Sequence, residues 1–216
     1  MTENERPAAP SAAAVVLAAG SGSRVGAEQN KVFLPLAGRP VVAWSLRSFA
    51  RVPAIGRLLL VIREVDRAPA LRMIDREVGR DVEIVVGGTS RHESELAALT
   101  RLGPAIEDGS ITQVLLHDAA RPVVTPAMTT ALMAEAARTF VAAQTPQVFA
   151  ARDLWSAYRQ AARDGFVGTD TMSCFQHYHP GRGTWLPGDP RNLKITYAGD
   201  LAEAESILAT TDPARA

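Results

Sequence analysis

The chain has 216 residues, enough for one domain of ordinary size but few for two. Hydrophobic residues make up 47% of it and charged residues 21%, close to the globular average, which excludes disordered, collagen-like and coiled-coil classes. The 23 basic and 23 acidic side chains cancel, which excludes a generally basic nucleic-acid binder and a polybasic membrane binder.

The basic residues are unevenly divided between the two types. Only Lys31 and Lys194 are lysines, and all the others are arginines. A site that needs a compact ammonium group cannot simply take arginine in its place, so these two positions are candidates for function.

One cysteine, Cys174, excludes a disulfide framework within the chain and fits a reducing compartment. No apolar run approaches the roughly 18 residues of a membrane span, and the first residues lack the basic-then-apolar order of a signal peptide. We therefore expect a cytoplasmic protein with a disordered tail at 1–11 and a single domain at 12–216.

Apolar runs alternate with segments of helical periodicity along the chain. The pattern predicts strands at 12–18, 57–63, 82–86, 113–117 and 192–196, and helices at 41–51, 66–79, 90–102, 125–137, 150–165 and 199–210. Asp66 is a candidate N-cap, Gly79 a candidate stop signal, and Ser90 with Glu93 a candidate capping box. Such alternation predicts an α/β fold with a doubly wound, mostly parallel sheet.

Ligands of doubly wound sheets bind beyond the carboxyl ends of the strands. This rule selects three segments, Gly20–Lys31, Gly87–Ser94 and Asp118–Pro122. In the first, Gly20 and Gly22 would let backbone amides approach a phosphate chain. The segment lacks the Gly-Lys-Ser/Thr of a Walker loop and the spacing of the dinucleotide fingerprint. A tight turn without a ligand would also favour small residues here.

The flanking residues make the pattern more specific. Leu17–Lys31 resembles the signature of nucleotidyltransferases that transfer a nucleoside monophosphate onto sugar phosphates. Together with four further motifs in the same order, it resembles the 2-C-methyl-D-erythritol 4-phosphate cytidylyltransferase family. Those motifs are 87–94 (GGTSRHES), 117–122 (HDAARP), 145–149 (TPQVF) and 192–196 (NLKIT).

The resemblance implies a Rossmann-like nucleotidyltransferase fold and a role for each matching position. Arg24, Lys31 and Lys194 would be catalytic, neutralising charge at the α-phosphate of CTP as an acceptor phosphate attacks and pyrophosphate leaves. Nucleotide-binding positions would be Ala18, Ala19, Gly20, Ser21, Gly22, Gly88, Arg91 and Ser94. Acceptor-binding positions would be Asp118, Ala119, Arg121 and Thr145, with Asp118 also a candidate ligand for Mg²⁺ or another divalent cation.

Structural roles compete with several of these assignments. Arg91 could be a solvated charge in the first turn of a helix, and Asp118 could cap the turn after its strand. His117 is better explained as a packed residue at a strand end. Cys174, His177 and His179 offer three soft ligands and no fourth, which disfavours zinc.

Three departures from the family pattern stand out. Asn30 replaces the usual proline before the catalytic lysine, and Thr171 stands where a second acidic residue is usual. Between Ala137 and Ala143 there is no room for the strand and arm that in the family reach the partner subunit and help to bind the acceptor. The family is homodimeric, so we expect a monomer or weak dimer here.

The missing arm leaves three functions open. The first is transfer of the cytidylyl group of CTP to 2-C-methyl-D-erythritol 4-phosphate. The second is the same chemistry on another polyol phosphate, such as ribitol 5-phosphate. The third is a catalytically weak nucleotide-binding homologue.

Overall fold

The structure, a computed structural model, describes residues 11–20, 30–136, 144–181 and 188–211. The predicted disordered tail and the stretch 137–143 lie outside these ranges, apart from Ser11, which already belongs to the first strand. The division into tail and single domain remains a prediction.

The described residues form a five-stranded sheet in the order β5-β4-β1-β6-β7, together with a two-stranded hairpin, β2-β3. The strands are β1 (Ser11–Leu17), β2 (Pro35–Leu36), β3 (Arg39–Pro40), β4 (Ile55–Ile62), β5 (Glu83–Val86), β6 (Ile111–Asp118) and β7 (Gln147–Ala150). The strands β5, β4, β1 and β6 run parallel, and β7 pairs antiparallel with β6.

Seven α-helices are described. They are α1 (Val41–Ala50), α2 (Arg67–Glu77), α3 (Arg91–Glu107), α4 (Pro126–Ala136), α5 (Ala151–Asp164), α6 (Thr171–Tyr178) and α7 (Gly199–Thr211). Two short 3₁₀ helices, Lys31–Phe33 and Glu64–Asp66, precede α1 and α2.

The sheet carries an apolar layer on each face. Along β1, Ala12, Ala14 and Val16 pack with α1, α2 and α4, whereas Ala13 and Val15 pack with α3, α5 and α6. Because successive strand residues point to opposite faces, a continuous apolar strand is suited to such double burial. The predicted doubly wound, mostly parallel sheet is confirmed.

Four of the five predicted strands and all six predicted helices are confirmed, with ends shifted by a few residues. The strand predicted at 192–196 is wrong, because that segment pairs with no other strand of the described sheet. Asp66 stands at the start of α2 as predicted, but its side chain does not cap the helix. The hairpin, β7 and α6 were not predicted from the sequence pattern.

The last strand of the described sheet, β7, follows in sequence the stretch 137–143, which has no room for the family's extra strand. Its residues Gln147, Val148 and Phe149 are all buried, so their side chains leave no exposed apolar edge. Within the described ranges, no helix is both long and apolar enough to cross a membrane.

Candidate functional site

A cavity of about 630 Å³ lies beyond the carboxyl ends of β1, β4, β5 and β6. It gathers residues from all three segments that the strand-end rule selects. Its lining is Leu17, Ala18, Ala19, Gly20, Asn30, Lys31, Val32, Arg63, Gly88, Thr89, Ser90, Arg91, Ser94, Asp118, Ala120 and Lys194. A smaller depression of about 340 Å³ lies between α3 and α5, away from the strand ends, and contains none of the candidate residues.

One wall of the cavity is the start of α3. The Ser90 side chain accepts a hydrogen bond from the Glu93 amide, and the Glu93 carboxylate accepts one from the Ser90 amide, which confirms the predicted capping box. This cap places Arg91 and Ser94 on the turn that faces the strand ends. A β-carbon at Gly87 would stand 2.6 Å from Ser94 Oγ and 2.8 Å from Ala19 Cβ, so this wall and the β1 loop meet at a glycine.

Asp118, the last residue of β6, is a buried carboxylate held between two cations. Lys194 Nζ lies 2.8 Å from its Oδ2, and Arg91 Nη1 donates to its Oδ1. Burial works against ionisation of this carboxyl, but the charges of Arg91 and Lys194 outweigh it and hold its pKa well below the ordinary value. Asp118 is therefore a fixed negative charge that joins α3 to the segment carrying Lys194.

Arg91 contacts a second carboxylate behind the cavity wall. Its Nε lies 2.9 Å from Oε1 of Glu95, which is fully buried one helical turn further along α3. Tyr158 and Thr171 donate their hydroxyl hydrogen bonds to the same carboxylate. Burial raises the pKa of Glu95, although these partners oppose the shift.

Lys31 is the first residue of the 3₁₀ helix after the glycine-rich loop. Its Nζ donates a hydrogen bond of 2.7 Å to the backbone oxygen of Ile195, the residue after Lys194. The Ile195 amide in turn donates to the Ala120 oxygen at 2.8 Å. The two lysines of the chain therefore line one cavity, from opposite ends of the sequence.

Asn30 supports the Lys31 turn in place of the family's proline. Its Nδ2 donates to the Ala18 oxygen at 2.8 Å and to Asp66 Oδ2 at 3.1 Å. Arg63 holds the same Asp66 carboxylate through two nitrogens. These side-chain hydrogen bonds restrict the turn that leads into Lys31, although position 30 is not a proline.

Three of the predicted acceptor-binding residues do not line the cavity but stand behind it. Thr145 Oγ1 accepts a hydrogen bond from the Asp118 amide at 3.0 Å. Arg121 Nη1 donates to the Asn192 oxygen at 2.7 Å, and burial lowers its pKa. Ala119 is fully buried. In this structure these side chains support the residues that reach the cavity.

Three other predicted positions, Ser21, Gly22 and Arg24, lie outside the described residues. Ala18, Ala19 and Gly20, from the start of the same loop, all line the cavity.

Three of the four histidines, namely His117, His177 and His179, and the single cysteine make packing contacts away from the cavity lining. His117 is fully buried with its ring edge-on to Phe49, and burial lowers its pKa to about 4. His177 stacks on Phe166, and His179 lies 3.1 Å from the Asp153 oxygen. Burial and the nearby Glu95 charge raise the pKa of Cys174 to about 12, so its thiol is unreactive at neutral pH.

The donor set determines how a divalent cation could bind. Asp118 is the one carboxylate among the described residues that line the cavity, and both of its oxygens are paired with cations. Mg²⁺ prefers several oxygen ligands and commonly takes them from substrate phosphates. The described side chains therefore do not fit a cation held by protein alone, but leave room for one that enters on a triphosphate.

Two residues at or next to the cavity, Arg63 and Glu95, were not predicted as site residues from the sequence. Arg63 is the first polar residue after β4, so the strand-end rule could have found it. No sequence pattern indicates a role for Glu95, because Tyr158 and Thr171, whose hydroxyls bond to it, lie 63 and 76 residues away in sequence.

Comparison with known families and proteins shows which family this chain resembles. The family model described as IspD, 2-C-methyl-D-erythritol 4-phosphate cytidylyltransferase, matches residues 12–143 and 138–210. The enzyme of that name from Parasynechococcus marenigrum is 34% identical, over 90% of this chain and 96% of its own length. The one from Shouchella clausii is 33% identical, over 91% and 96%.

Solved structures show the same fold. The 4-diphosphocytidyl-2C-methyl-D-erythritol synthase of Anaerococcus prevotii superposes with a TM-score of 0.77 and 23% identity, covering 92% of this chain and 98% of that one. The 2-C-methyl-D-erythritol 4-phosphate cytidylyltransferase of Thermus thermophilus superposes with a TM-score of 0.65 and 22% identity, covering 91% and 98%.

The same matches bear on the expected missing arm. The alignment with the Parasynechococcus enzyme has 229 positions but includes only 90% of these 216 residues, so roughly 35 positions have no residue in this chain. The two matches to the family model meet at 138–143, the place where the sequence predicts the gap.

Proposed function

The chain belongs to the 2-C-methyl-D-erythritol 4-phosphate cytidylyltransferase family, and from this premise we propose that it joins CTP and 2-C-methyl-D-erythritol 4-phosphate to give the CDP-alcohol and pyrophosphate. The observation that carries the proposal is the convergence of Lys31, Lys194 and Asp118 on one cavity at the strand ends. The product is a precursor in non-mevalonate isoprenoid biosynthesis. A cytoplasmic location is part of the proposal, supported by the lone, buried Cys174.

In the reaction, an oxygen of the acceptor phosphate attacks the α-phosphorus of CTP. The bond from that phosphorus to the bridging oxygen of the β-phosphate breaks, and pyrophosphate leaves. The reaction needs no covalent intermediate with the protein. Catalysis therefore depends on positioning the substrates and on placing cations where negative charge develops.

We assign the nucleotide to the side of the cavity formed by β1 and α3. The Ala18–Gly20 backbone and Lys31 would contact the triphosphate, joined by Ser21, Gly22 and Arg24. Gly88, Arg91 and Ser94 would hold the cytosine and ribose. These three line the cavity on a wall fixed by the capping box, which gives a defined shape against which one base can be selected.

Lys194 would approach the α-phosphate from the opposite wall. Its side chain is 44% exposed, so the ammonium can face both Asp118 and a ligand. Asp118 would orient the acceptor or contact the metal through an oxygen released from one of its ion pairs. Ala119, Arg121 and Thr145 would act from behind this wall.

A divalent cation such as Mg²⁺ would be held mainly by the phosphates of CTP. Asp118 is the one described carboxylate at the cavity that could contact it, and the cation would supply charge neutralisation for the pyrophosphate leaving group. We propose that the protein contributes the surrounding cations.

A test of the proposal measures pyrophosphate release from CTP and Mg²⁺ with a panel of polyol phosphates, and identifies the product by mass. We expect turnover with 2-C-methyl-D-erythritol 4-phosphate. Turnover with ribitol 5-phosphate alone would show a different acceptor, and CTP binding without turnover on any acceptor would show a weak nucleotide-binding homologue. Equal calorimetric affinities for CTP, UTP, ATP and GTP would contradict the cytidylyl assignment itself.

A further inference from the structure

Glu95 is a fully buried carboxylate that the proposed reaction does not use. Removing a carboxylate from water costs several kcal/mol unless its neighbours compensate. The hydroxyls of Tyr158 and Thr171 donate hydrogen bonds to Glu95, and the Nε of Arg91 lies 2.9 Å from its Oε1 as an ion pair without the geometry of a hydrogen bond. These three partners favour the ionised carboxylate and oppose the effect of burial on its pKa.

The two hydroxyl donors fix the Glu95 carboxylate from behind. Tyr158 belongs to α5 and Thr171 to α6, and both are buried. Thr171 Oγ1 lies 2.5 Å from Glu95 Oε1. The carboxylate is therefore anchored to two helices besides its own and cannot move with the arginine.

Arg91 is held at two different nitrogens. Glu95 contacts Nε from the core, and Asp118 contacts Nη1 from the end of β6. An ion pair at Nε and a hydrogen bond from Nη1 together restrict the orientation of the guanidinium plane. Among the described residues, its third nitrogen, Nη2, makes no hydrogen bond, and a third of the side chain is exposed at the cavity.

We propose that Glu95 is a positioning residue that fixes the plane of Arg91, so that Nη2 is presented to the nucleotide in the cavity. The inference rests on the proposed function, because it takes Arg91 to be a nucleotide-binding residue. Two carboxylates and two cations alternate in the row Glu95, Arg91, Asp118 and Lys194, and the charge of Glu95 makes the net charge of this row zero. Without its charge, Arg91 would turn fully toward Asp118 and compete with Lys194 for that carboxylate.

The test is a double-mutant cycle on Mg·CTP affinity, measured by calorimetry on the full chain. The variants are Glu95→Gln, Arg91→Met and the two combined. We expect Glu95→Gln to weaken CTP binding about tenfold when Arg91 is present and to have no further effect when Arg91 is Met. Because Nη2 serves binding, KM for CTP should rise more than kcat falls.

If Glu95 only stabilised the packing of its helix and did not position Arg91, the cycle would give a different result. Equal losses from Glu95→Gln in both backgrounds, or no loss in either, would overturn the proposal. Glu107→Gln is the matched control, since Glu107 ends the same helix, away from the cavity, and pairs with Arg159. Failure of the unmodified chain to bind CTP would instead refute the proposed function.

Thr171→Val gives a second route should Glu95→Gln fail to fold. It removes one anchor of the carboxylate and leaves its charge in place. We expect weaker CTP binding in the presence of Arg91 and no change in the Arg91→Met background. Equal effects in the two backgrounds would also overturn the inference.

Discussion

The ammonium group of Lys31 is bonded to the backbone oxygen of Ile195, 164 residues further along the chain, at 2.7 Å. Ile195 is fully buried and is itself tied to the turn after β6 through Ala120. The position of the first lysine is therefore set by the segment that carries the second. A displacement of either segment would move both cations relative to a bound phosphate chain.

Replacing Lys31 or Lys194 by alanine should lower kcat on the order of 10²-fold or more, because each removes about 3 kcal/mol of transition-state stabilisation. The measurement is steady-state pyrophosphate release at saturating CTP and acceptor. Thermal stability of Lys194→Ala should fall only modestly, since the buried Asp118 carboxylate keeps Arg91 as its second cation and the lysine itself is partly exposed.

Arg191→Ala is the control for this pair of variants. Arg191 lies three residues before Lys194 and pairs with Asp189 on the surface. We expect it to keep normal turnover. Near-normal kcat in both lysine variants would refute their catalytic assignment.

Gly87→Ala should weaken CTP binding while leaving the sheet folded. The added β-carbon would stand 2.6 Å from Ser94 Oγ and 2.8 Å from Ala19 Cβ, so it would push two cavity walls apart. Overpacking of this kind typically costs about 1–3 kcal/mol. Calorimetry with CTP checks the binding, and Gly199→Ala is the control, because a β-carbon there would meet nothing within 4 Å.

Asn30→Ala should reduce both stability and turnover, since it leaves the buried oxygen of Ala18 without this donor and frees the Lys31 turn. The loss of stability should be about 1–3 kcal/mol. Asn30→Pro is the informative comparison, because the φ of −59° suits proline and would keep the turn stiff. We expect kcat to fall further for alanine than for proline, and the reverse order would show that rigidity at position 30 is unimportant.

His117 should make the unfolding free energy fall as the pH is lowered from about 6.5 to about 4. Burial lowers the pKa of its imidazole to about 4 in the folded chain, whereas the unfolded chain has the ordinary value of about 6.5. Between these values the unfolded state binds more protons, so acid favours it, by roughly 3 kcal/mol across the range. Above pH 6.5 the contribution is constant.

Urea unfolding between pH 4 and pH 7 measures this dependence. His117→Gln should flatten the profile. Ser45→Ala removes a neighbour of the ring, whose Oγ lies 3.1 Å from Nε2, without removing the titrating group, and should keep the slope. An unchanged slope in His117→Gln would assign the pH dependence to other groups.

The shortened region at 138–143 should weaken dimerisation and acceptor binding together, because the family's arm serves both. A stable dimer needs roughly 1,000 Å² of good contact. We expect a monomer or weak dimer in sedimentation equilibrium, a raised KM for 2-C-methyl-D-erythritol 4-phosphate and unimpaired CTP binding. A tight dimer with an ordinary acceptor KM would show that another segment, such as 175–185, has replaced the arm.

The sheet and the position of the cavity were predictable from sequence, because buried parallel strands are continuous apolar runs and their carboxyl ends share one edge. The false strand at 192–196 has a clear cause. Leu193 and Ile195 alternate with polar residues as in a strand, but the segment is fixed by isolated hydrogen bonds, such as that from the Ile195 amide.

The helix α6 was not predicted, because its short sequence shows too little of a helical pattern even though the helix forms. Its sequence, TMSCFQHY, buries Met172, Cys174 and Phe175 at helical spacing, but eight residues are too few for this pattern to predict a helix. The helix is stabilised by its Asp170 capping box and by packing of Phe175 on Phe149. Glu95 could not be predicted, since only the folded chain brings its carboxylate to Thr171. Local patterns thus predict elements, whereas contacts between distant residues decide the fine structure of the site.

The order in which the cavity is built along the chain has a consequence for biosynthesis. A ribosome releases the last strand of the sheet, which ends at Ala150, well before it releases Lys194. The nascent chain can therefore complete its sheet while the wall that carries the second lysine is still being synthesised. A product that stops near residue 190 would keep the strands of the sheet and have one cavity lysine, but it would lack Ile195, Ala204 and Leu208. These three residues pack against Leu36, Val41, Trp44 and Val123. We therefore expect such a product to be inactive and to be recognised by quality control through this uncovered part of its core.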